Sequence, residues 1–425
     1  MATKRPNRVK VRAYQVGFGD CLLLTFFYGK TSAATQRHVL VDFGSTGKPR
    51  SGGHTEVEIA KHIAAETGGR LHAVVATHRH RDHISGFGGA AGKIIAGLKP
   101  SVVLQPWTEH PKAAPKAKGP PPKGLKGARA FTAALNDMHA LASEAIKAAR
   151  RYPAKSVIGR QLEFLGQENL ANLAAIKTLQ GMPGTHVYGS FGSKAGLKSV
   201  LPGVRVELLG PPTLEQSDTI KTQRAKDPDE FWHLQAQATA SAAKSATLFA
   251  KVYQLQGSLP PEARWFVKRS DRLSGDQLLE IVRILDDALN NTSLILLVQA
   301  GSKKLLFPGD AQIENWSYAL KKAKNRAAIA KRLAGVDLYK VGHHGSLNAT
   351  PKSLWKLFTK KGGTGKKGRL ITVLSTMAGK HGSTDRQTEV PRKKLIEELT
   401  RNSELIDTQT IKKKSEFYIS VDLDL

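Results

Sequence analysis

A short apolar run, Leu71 to Ala76, opens directly into Thr77-His78-Arg79-His80-Arg81-Asp82-His83-Ile84-Ser85-Gly86, and no other stretch of the chain restricts the fold as much. The run reads as a buried strand and the polar segment as the loop at its end. On an extended backbone His78 and His80 fall on one side, while Asp82 and His83 can turn towards a neighbouring point. One short segment can therefore begin two metal sites. A solvated polar loop would contain the same residue types, but nitrogen and oxygen donors packed this densely after a buried strand favour ligation.

The chain around this segment alternates between strand and helix patterns. Strands are predicted at Val9 to Val16, Cys21 to Tyr28 and His38 to Asp42, with a tight turn at Gly17-Phe18-Gly19-Asp20. A helix is predicted from Thr55 to Glu66, closed by Gly68-Gly69, and a further strand from Ser101 to Gln105. From His110 to Gly127 the composition turns to Pro, Gly, Ala and Lys, which reads as an exposed loop. It opens a basic loop and helical insertion over 110–203. After a short strand at Val204 to Leu208, a second, helical insertion covers 213–289, with an Ala-rich helix at Gln235 to Leu255 and another at Asp276 to Leu289. Regular alternation then resumes: strands Leu294 to Val298, Lys304 to Phe307, Val336 to Val341, Leu370 to Ser375 and Phe417 to Leu423, and helices Glu314 to Leu333, Lys352 to Phe358 and Pro391 to Arg401. The expectation is a single α/β domain over 1–425 carrying two insertions.

Later strand ends carry the residue types that a two-metal site still needs. Phe307-Pro308-Gly309-Asp310 ends an apolar strand in a carboxylate that could bridge two cations, although an Asp at a strand end also serves as a turn or cap residue. Tyr339-Lys340-Val341-Gly342-His343-His344-Gly345-Ser346 ends another strand in paired histidines, flanked by glycines that allow a substrate to come close. His381 follows the strand at Leu370 to Ser375 in a Gly-rich loop, where a surface position is the competing explanation. Asp42 is expected to orient a ligand histidine or loop amide rather than to hold a metal.

In this order the segments GFGDCLLL, HVLVDFG, THRHRDHISG, LLFPGD and LYKVGHHGS resemble the metallo-β-lactamase superfamily, and within it the hydrolase domain of ComEC-type DNA-uptake proteins. The resemblance covers the two ends of the chain and leaves out the insertions. It implies a four-layer αββα sandwich. It also implies that His78 and His80 hold one divalent ion, Asp82 and His83 a second, and that Asp310 bridges them, with zinc or manganese as the ions. Asp82, His343 and His344 would then act in catalysis, the paired histidines beside a substrate phosphate, and Asp20 would support the site alongside Asp42. His381 falls near the last expected metal ligand, but the usual Gly-His-Pro reads Thr388-Glu389-Val390-Pro391 here, so Glu389 is a rival. The third histidine that many members supply to the first metal would have to come from His110, His139, His186 or His233, none of which aligns.

Charge suggests the substrate class. With 65 Lys plus Arg against 35 Asp plus Glu, the chain carries a formal +30 and should attract polyanions, nucleic acid above all; a merely soluble basic surface, or one that meets anionic lipid, is the alternative. Lys112, Lys116, Lys118, Lys123 and Lys126, together with Lys360, Lys361, Lys366, Lys367 and Arg369, are the candidate phosphate-binding residues, and the second run is expected near the site. No apolar stretch reaches membrane-spanning length, and Cys21 is the only cysteine, so a soluble cytoplasmic protein without intrachain disulfides is expected. The functional expectation is a metal-dependent phosphodiesterase or nuclease. Its alternatives are a metallo-hydrolase of a small ester, lactam, thioester or cyclic nucleotide, and a non-catalytic nucleic-acid-binding protein with a structural metal.

Overall fold

The computed structural model describes residues 5–29, 35–49, 53–114, 116–118, 123–153, 156–169, 172–217, 278, 282, 286–346, 350–380 and 389–425. Two sheets form its frame. The first has the order β13-β1-β2-β3-β4-β5-β6, in which β1 is Arg8–Tyr14, β2 Cys21–Phe27, β3 Gln36–Phe43, β4 Ala73–Val75, β5 Val102–Pro106, β6 Thr185–Gly189 and β13 Tyr418–Asp424. The second has the order β12-β11-β10-β9-β8-β7, in which β7 is Val204–Gly210, β8 Ile295–Ala300, β9 Lys303–Phe307, β10 Leu338–Lys340, β11 Ile371–Leu374 and β12 Glu404–Asp407. Both sheets are mixed. Strands β3 to β6 run parallel, as do β9 to β12, and the remaining pairs are antiparallel.

Period-two alternation explains why both faces of each sheet are covered. In β3, Val39 and Val41 join β8 residues Leu296 and Val298 in an apolar layer shared by the two sheets, while Leu40 turns the other way. There it meets Ile59 and Ile63 of α1 (Glu56–Glu66) and Ile95 of the helix Gly89–Gly97. In the second sheet, Leu297, Leu306 and Tyr339 pack against Trp316, Ile329, Leu354 and Leu399, which lie on helices. Each fully buried aliphatic side chain in these layers contributes about 1.5–3 kcal/mol. Thr55 caps α1 through a reciprocal capping box with Glu58, as the sequence predicts for its start.

Several boundaries differ from expectation. The predicted helix Glu314 to Leu333 is two helices, Ile313–Ser317 and Arg326–Ala334, joined by a wide turn at Tyr318–Lys322. An unbroken helix of that length would extend about 30 Å, whereas a five-residue strand such as β9 spans only about 17 Å. Strands β6 and β12 were not anticipated. Both are edge strands of mixed polarity, and β12 follows the helix Lys393–Asn402 across a single residue, Ser403.

The chain divides into one compact unit of Met1–Arg129, Ala171–Ile220 and Leu289–Leu425, which contains both sheets, and a second of Ala130–Leu170 and Lys221–Ala288. The supposed insertion 110–203 is therefore split, because β6 within it pairs with β5 and completes the first sheet. In the second unit, Ala145, Ala149, Leu162, Leu165 and Val282 cluster, with contributions from the helices Ala128–Ala149 and Val157–Asn169. The predicted helix Gln235 to Leu255 lies outside the described residues. No helix among the described residues is long and apolar enough to cross a membrane.

The turn between β1 and β2 depends on glycine. Gly17 has φ +90°, and a Cβ there would sit 1.8 Å from the Gly47 carbonyl oxygen. Gly17→Ala should therefore lose about 1–3 kcal/mol for the backbone alone, and more for the clash. Chemical denaturation measures it, and a loss of under about 0.5 kcal/mol would show that the turn relaxes freely.

Candidate metal centre

The parallel strands of both sheets end on the same side of the molecule, and their carboxyl ends carry the polar residues singled out in the sequence. Beyond β4, His78 and His80 are 1% and 2% exposed, while Arg79 between them turns outward to a 2.8 Å ion pair with Glu109. The chain then coils into the short helix Arg81–Ile84, which buries Asp82 and His83. Gly44, just past β3, lets this helix come close, since a Cβ there would lie 2.5 Å from the Arg81 carbonyl oxygen. From the second sheet, Asp310 follows β9, and His343 and His344 follow β10.

These side chains converge. Ligand atoms of Asp82, His83, Asp310 and His344 lie within 4.8 Å of one another, and so do those of His78, His80 and Asp82. His83 Nε2 is 3.1 Å from Asp310 Oδ2, His344 Nε2 is 2.7 Å from Asp82 Oδ2, and His78 Nε2 is 3.0 Å from His80 Nδ1. Ligands bonded to one ion at about 2.0–2.2 Å are separated by about this much. Asp82 Oδ1 is buried without a hydrogen-bond partner, and His83 Nε2 and Asp310 Oδ2 have only their 3.1 Å ion pair with each other in place of a well-formed hydrogen bond. A buried polar atom left in that state is costly, and a cation would satisfy all three. Imidazole and carboxylate donors without a thiolate suit zinc, manganese or iron, and Cys21 is buried in the apolar layer with Leu23 and Leu40.

Supporting contacts fix the ligands. Asp42 accepts hydrogen bonds from Thr77 N and Thr77 Oγ1, each at 2.7 Å, and lies 2.8 Å from His83 Nδ1. It thus leaves His83 Nε2 facing the cluster. His344 Nδ1 is 3.0 Å from the Ser375 carbonyl, and the Phe18 ring packs on the imidazole at 4.3 Å. Asp20, Asp42 and His83 form a third close group, in which Lys340 pairs with Asp20 Oδ2 and Thr77 bonds Asp42, while Asp20 Oδ1 is buried without a hydrogen-bond partner. Asp42, His343 and His344 take φ of 55°, 42° and 50°, a region costing non-glycine residues about 1–3 kcal/mol each.

The paired histidines separate into different places. His344 is fully buried among the ligand atoms, whereas His343 is half-buried, with Nδ1 3.0 Å from Ser346 Oγ and its amide donating to Asp310 Oδ1 at 2.9 Å. His344, expected beside a substrate phosphate, lies among the atoms positioned to bind a metal. His381 lies outside the described residues. Glu389 accepts from the Lys393 amide and pairs with Arg392, and belongs to none of the ligand groups. Among the third-histidine candidates, His110 Nδ1 accepts from the Lys112 amide and His186 Nε2 bonds the Met182 carbonyl; neither joins a ligand group. His233 and the side chain of His139 lie outside what is described.

The two basic runs also separate. Lys112, Lys116, Lys118, Lys123 and Lys126 are exposed and follow β5 at the ligand end of the first sheet. The second run, expected near the site, lies at the opposite end of the second sheet. Lys360 pairs with Asp337 ahead of β10, and from Asp337 to His343 the extended chain covers up to about 20 Å. Lys361 donates to the Trp355 carbonyl, Lys366 to the Thr359 and Lys361 carbonyls, and Arg369 to those of Gly362, Thr400 and Arg401, so these cations tie the loop to its neighbours; Lys367 is exposed.

Residues missed in the sequence are Thr77, Ser293, Lys340 and Ser375. Ser293 Oγ accepts from the Asp310 amide at 3.2 Å, and the Leu294 amide donates to the Thr77 carbonyl at 2.9 Å, joining the two sheets at this end. A polar residue at the tip of an apolar strand was the available signal. The chain matches no protein-family model and no curated protein. Its class is therefore defined by geometry: an α/β protein of two mixed sheets with a buried His/Asp cluster positioned to bind metal.

Protonation follows from the same contacts. Burial opposes a charge on His83, yet Asp310, Asp82 and Asp42 hold its pKa well above the ordinary value of 6.5, and Asp82 raises that of His344 against the same penalty. Burial, with His83 and His80 nearby, keeps His78 neutral. Metal-free protein at neutral pH thus carries protons that a cation must displace, so affinity should rise with pH between about 6 and 8. Calorimetric zinc titrations in buffers of different ionisation enthalpy should show proton release; uptake independent of pH and buffer would refute it.

Proposed function

We propose that this protein is a metal-dependent phosphodiesterase of the metallo-β-lactamase type, acting on nucleic acid. The observation that carries the reading is the ligand cluster itself: donors from two sheets meet in one buried place, where Asp82 Oδ1 has no hydrogen-bond partner and Asp310 meets His83 only as an ion pair. A structural metal needs no site at the open ends of parallel strands, where α/β proteins place substrates. The layering of helices, sheet, sheet and helices supports the family reading, as does the motif order.

In this reading His78, His80 and Asp82 hold one divalent ion, and Asp82, His83, Asp310 and His344 a second. Such ions would supply charge to neutralise the phosphoryl oxygens and would acidify a water for attack on phosphorus. The chain's own contribution is orientation and proton transfer. Asp42 keeps His83 aligned, and the Asp310 carboxylate is fixed by the His343 amide. His343 stands at the mouth of the cluster with its ring near Ser346, placed to donate a proton to the departing oxygen. The exposed lysines of the β5 loop would bind flanking phosphates.

Two substitutions separate these roles. His343→Ala should retain metal and thermal stability but lower turnover of a chromogenic phosphodiester by roughly a hundredfold or more, while His344→Ala should lose metal. Unchanged turnover in His343→Ala would remove this residue from the mechanism.

Substrate size is tested through charge. Neutralising Lys112, Lys116, Lys118, Lys123 and Lys126 should weaken polynucleotide binding and flatten its salt dependence, since fewer counterions are released. Hydrolysis of the small phosphodiester should hardly change. Failure of the intact protein to bind DNA or RNA at moderate salt would favour a small-molecule substrate instead.

A further inference from the structure

The ligands come from both sheets, so the two sheet ends must stay in register for the cluster to exist. Beneath the cluster lies a buried lysine that the proposed metal chemistry does not use. Lys340, the last residue of β10, is 1% exposed, and its Nζ is 2.7 Å from Asp20 Oδ2 and 2.8 Å from the Val341 carbonyl oxygen. Asp20 is as deeply buried and belongs to the turn between β1 and β2 in the first sheet. The ion pair therefore crosses from one sheet to the other.

Both partners connect onward to ligands. The Asp20 amide donates to the Asp82 carbonyl at 2.9 Å, and the Asp20 carbonyl accepts from the Gly44 amide at 3.0 Å, directly under the Asp82–His83 turn. On the other side, β10 leads from Lys340 into His344. The same turn holds the Gly19 carbonyl for Ser375 Oγ at 2.6 Å, and Ser375 in turn meets His344. Apolar side chains of similar volume would stabilise such a place at least as well as a buried ion pair, so stability does not account for the charges. Directional fixing of one ligand loop against another does.

We propose that Lys340 is a positioning residue of the metal centre. Through Asp20 it fixes the Asp82–His83 turn of the first sheet against His344 of the second. This rests on the metal-dependent reading above and adds to it a residue outside the ligand set.

Cobalt(II) is the probe, because its visible absorption reports coordination geometry independently of any hydrolysis. The full-length parent, Lys340→Met, and the double variant Lys340→Met with Asp20→Asn are titrated, and the metal-free unfolding of each is recorded. The single variant leaves a bare buried carboxylate and is expected to unfold more readily. The double variant removes both charges and is expected to fold. Both should bind the ion of Asp82, His83, Asp310 and His344 roughly ten- to a hundredfold more weakly, with an altered spectrum. If the double variant keeps the parent's affinity and spectrum, or if neither variant folds, the pair is structural and the proposal is overturned. A parent that binds no cobalt would overturn the metal-dependent reading as well, which distinguishes the two failures.

Discussion

Buried charge must be compensated, and that requirement organises one end of this molecule. Asp20, Asp42, Asp82 and Asp310 are each 1% exposed, and an isolated carboxylate at such depth costs several kcal/mol. Asp20 is answered by Lys340, and Asp42 by Thr77 and His83. Asp82 and Asp310 meet imidazoles, and each of them, like Asp20, keeps an oxygen without a hydrogen bond. A cation held between the two sheets would supply compensation there.

The architecture follows from this need. Parallel strands deliver their carboxyl ends to one side, so short loops from β4, β9, β10 and β11 can aim polar groups at one place while the strands behind them stay apolar. The loop after β10 carries the left-handed backbone at His343 and His344, and the end of β3 carries it at Asp42, strain that the apolar layers offset. Direct bonds between the sheets, from the Leu294 amide to the Thr77 carbonyl and from Ser375 Oγ to the Gly19 carbonyl, keep the two halves of the cluster together.

What was legible in the sequence was whatever has a local signature. The strand before His78, the capped helix after Thr55 and the Gly17 turn follow from periodicity and from residue types whose conformational demands are fixed nearby. The convergence of His78, His80, Asp82, His83 and Asp310 could be anticipated because each ends or follows an apolar strand. The roles of His343 and His344 could not be separated, since adjacent residues in left-handed geometry diverge in a way no periodicity reports. Lys340 was hidden because a charged residue in a strand reads as exposed unless its partner, here Asp20 more than three hundred residues away, is known. The lysines at 360–369 were misplaced for the same reason: loop charge is visible in sequence, but which end of a parallel strand the loop occupies depends on sheet topology.

The most direct test of the account is anomalous diffraction from crystals grown with zinc or manganese, which locates each ion by element. The account predicts density between Asp82, His83, Asp310 and His344, and a second position beside His78 and His80. Well-ordered protein with no ion at either place, at metal concentrations that saturate the crystal, would contradict it.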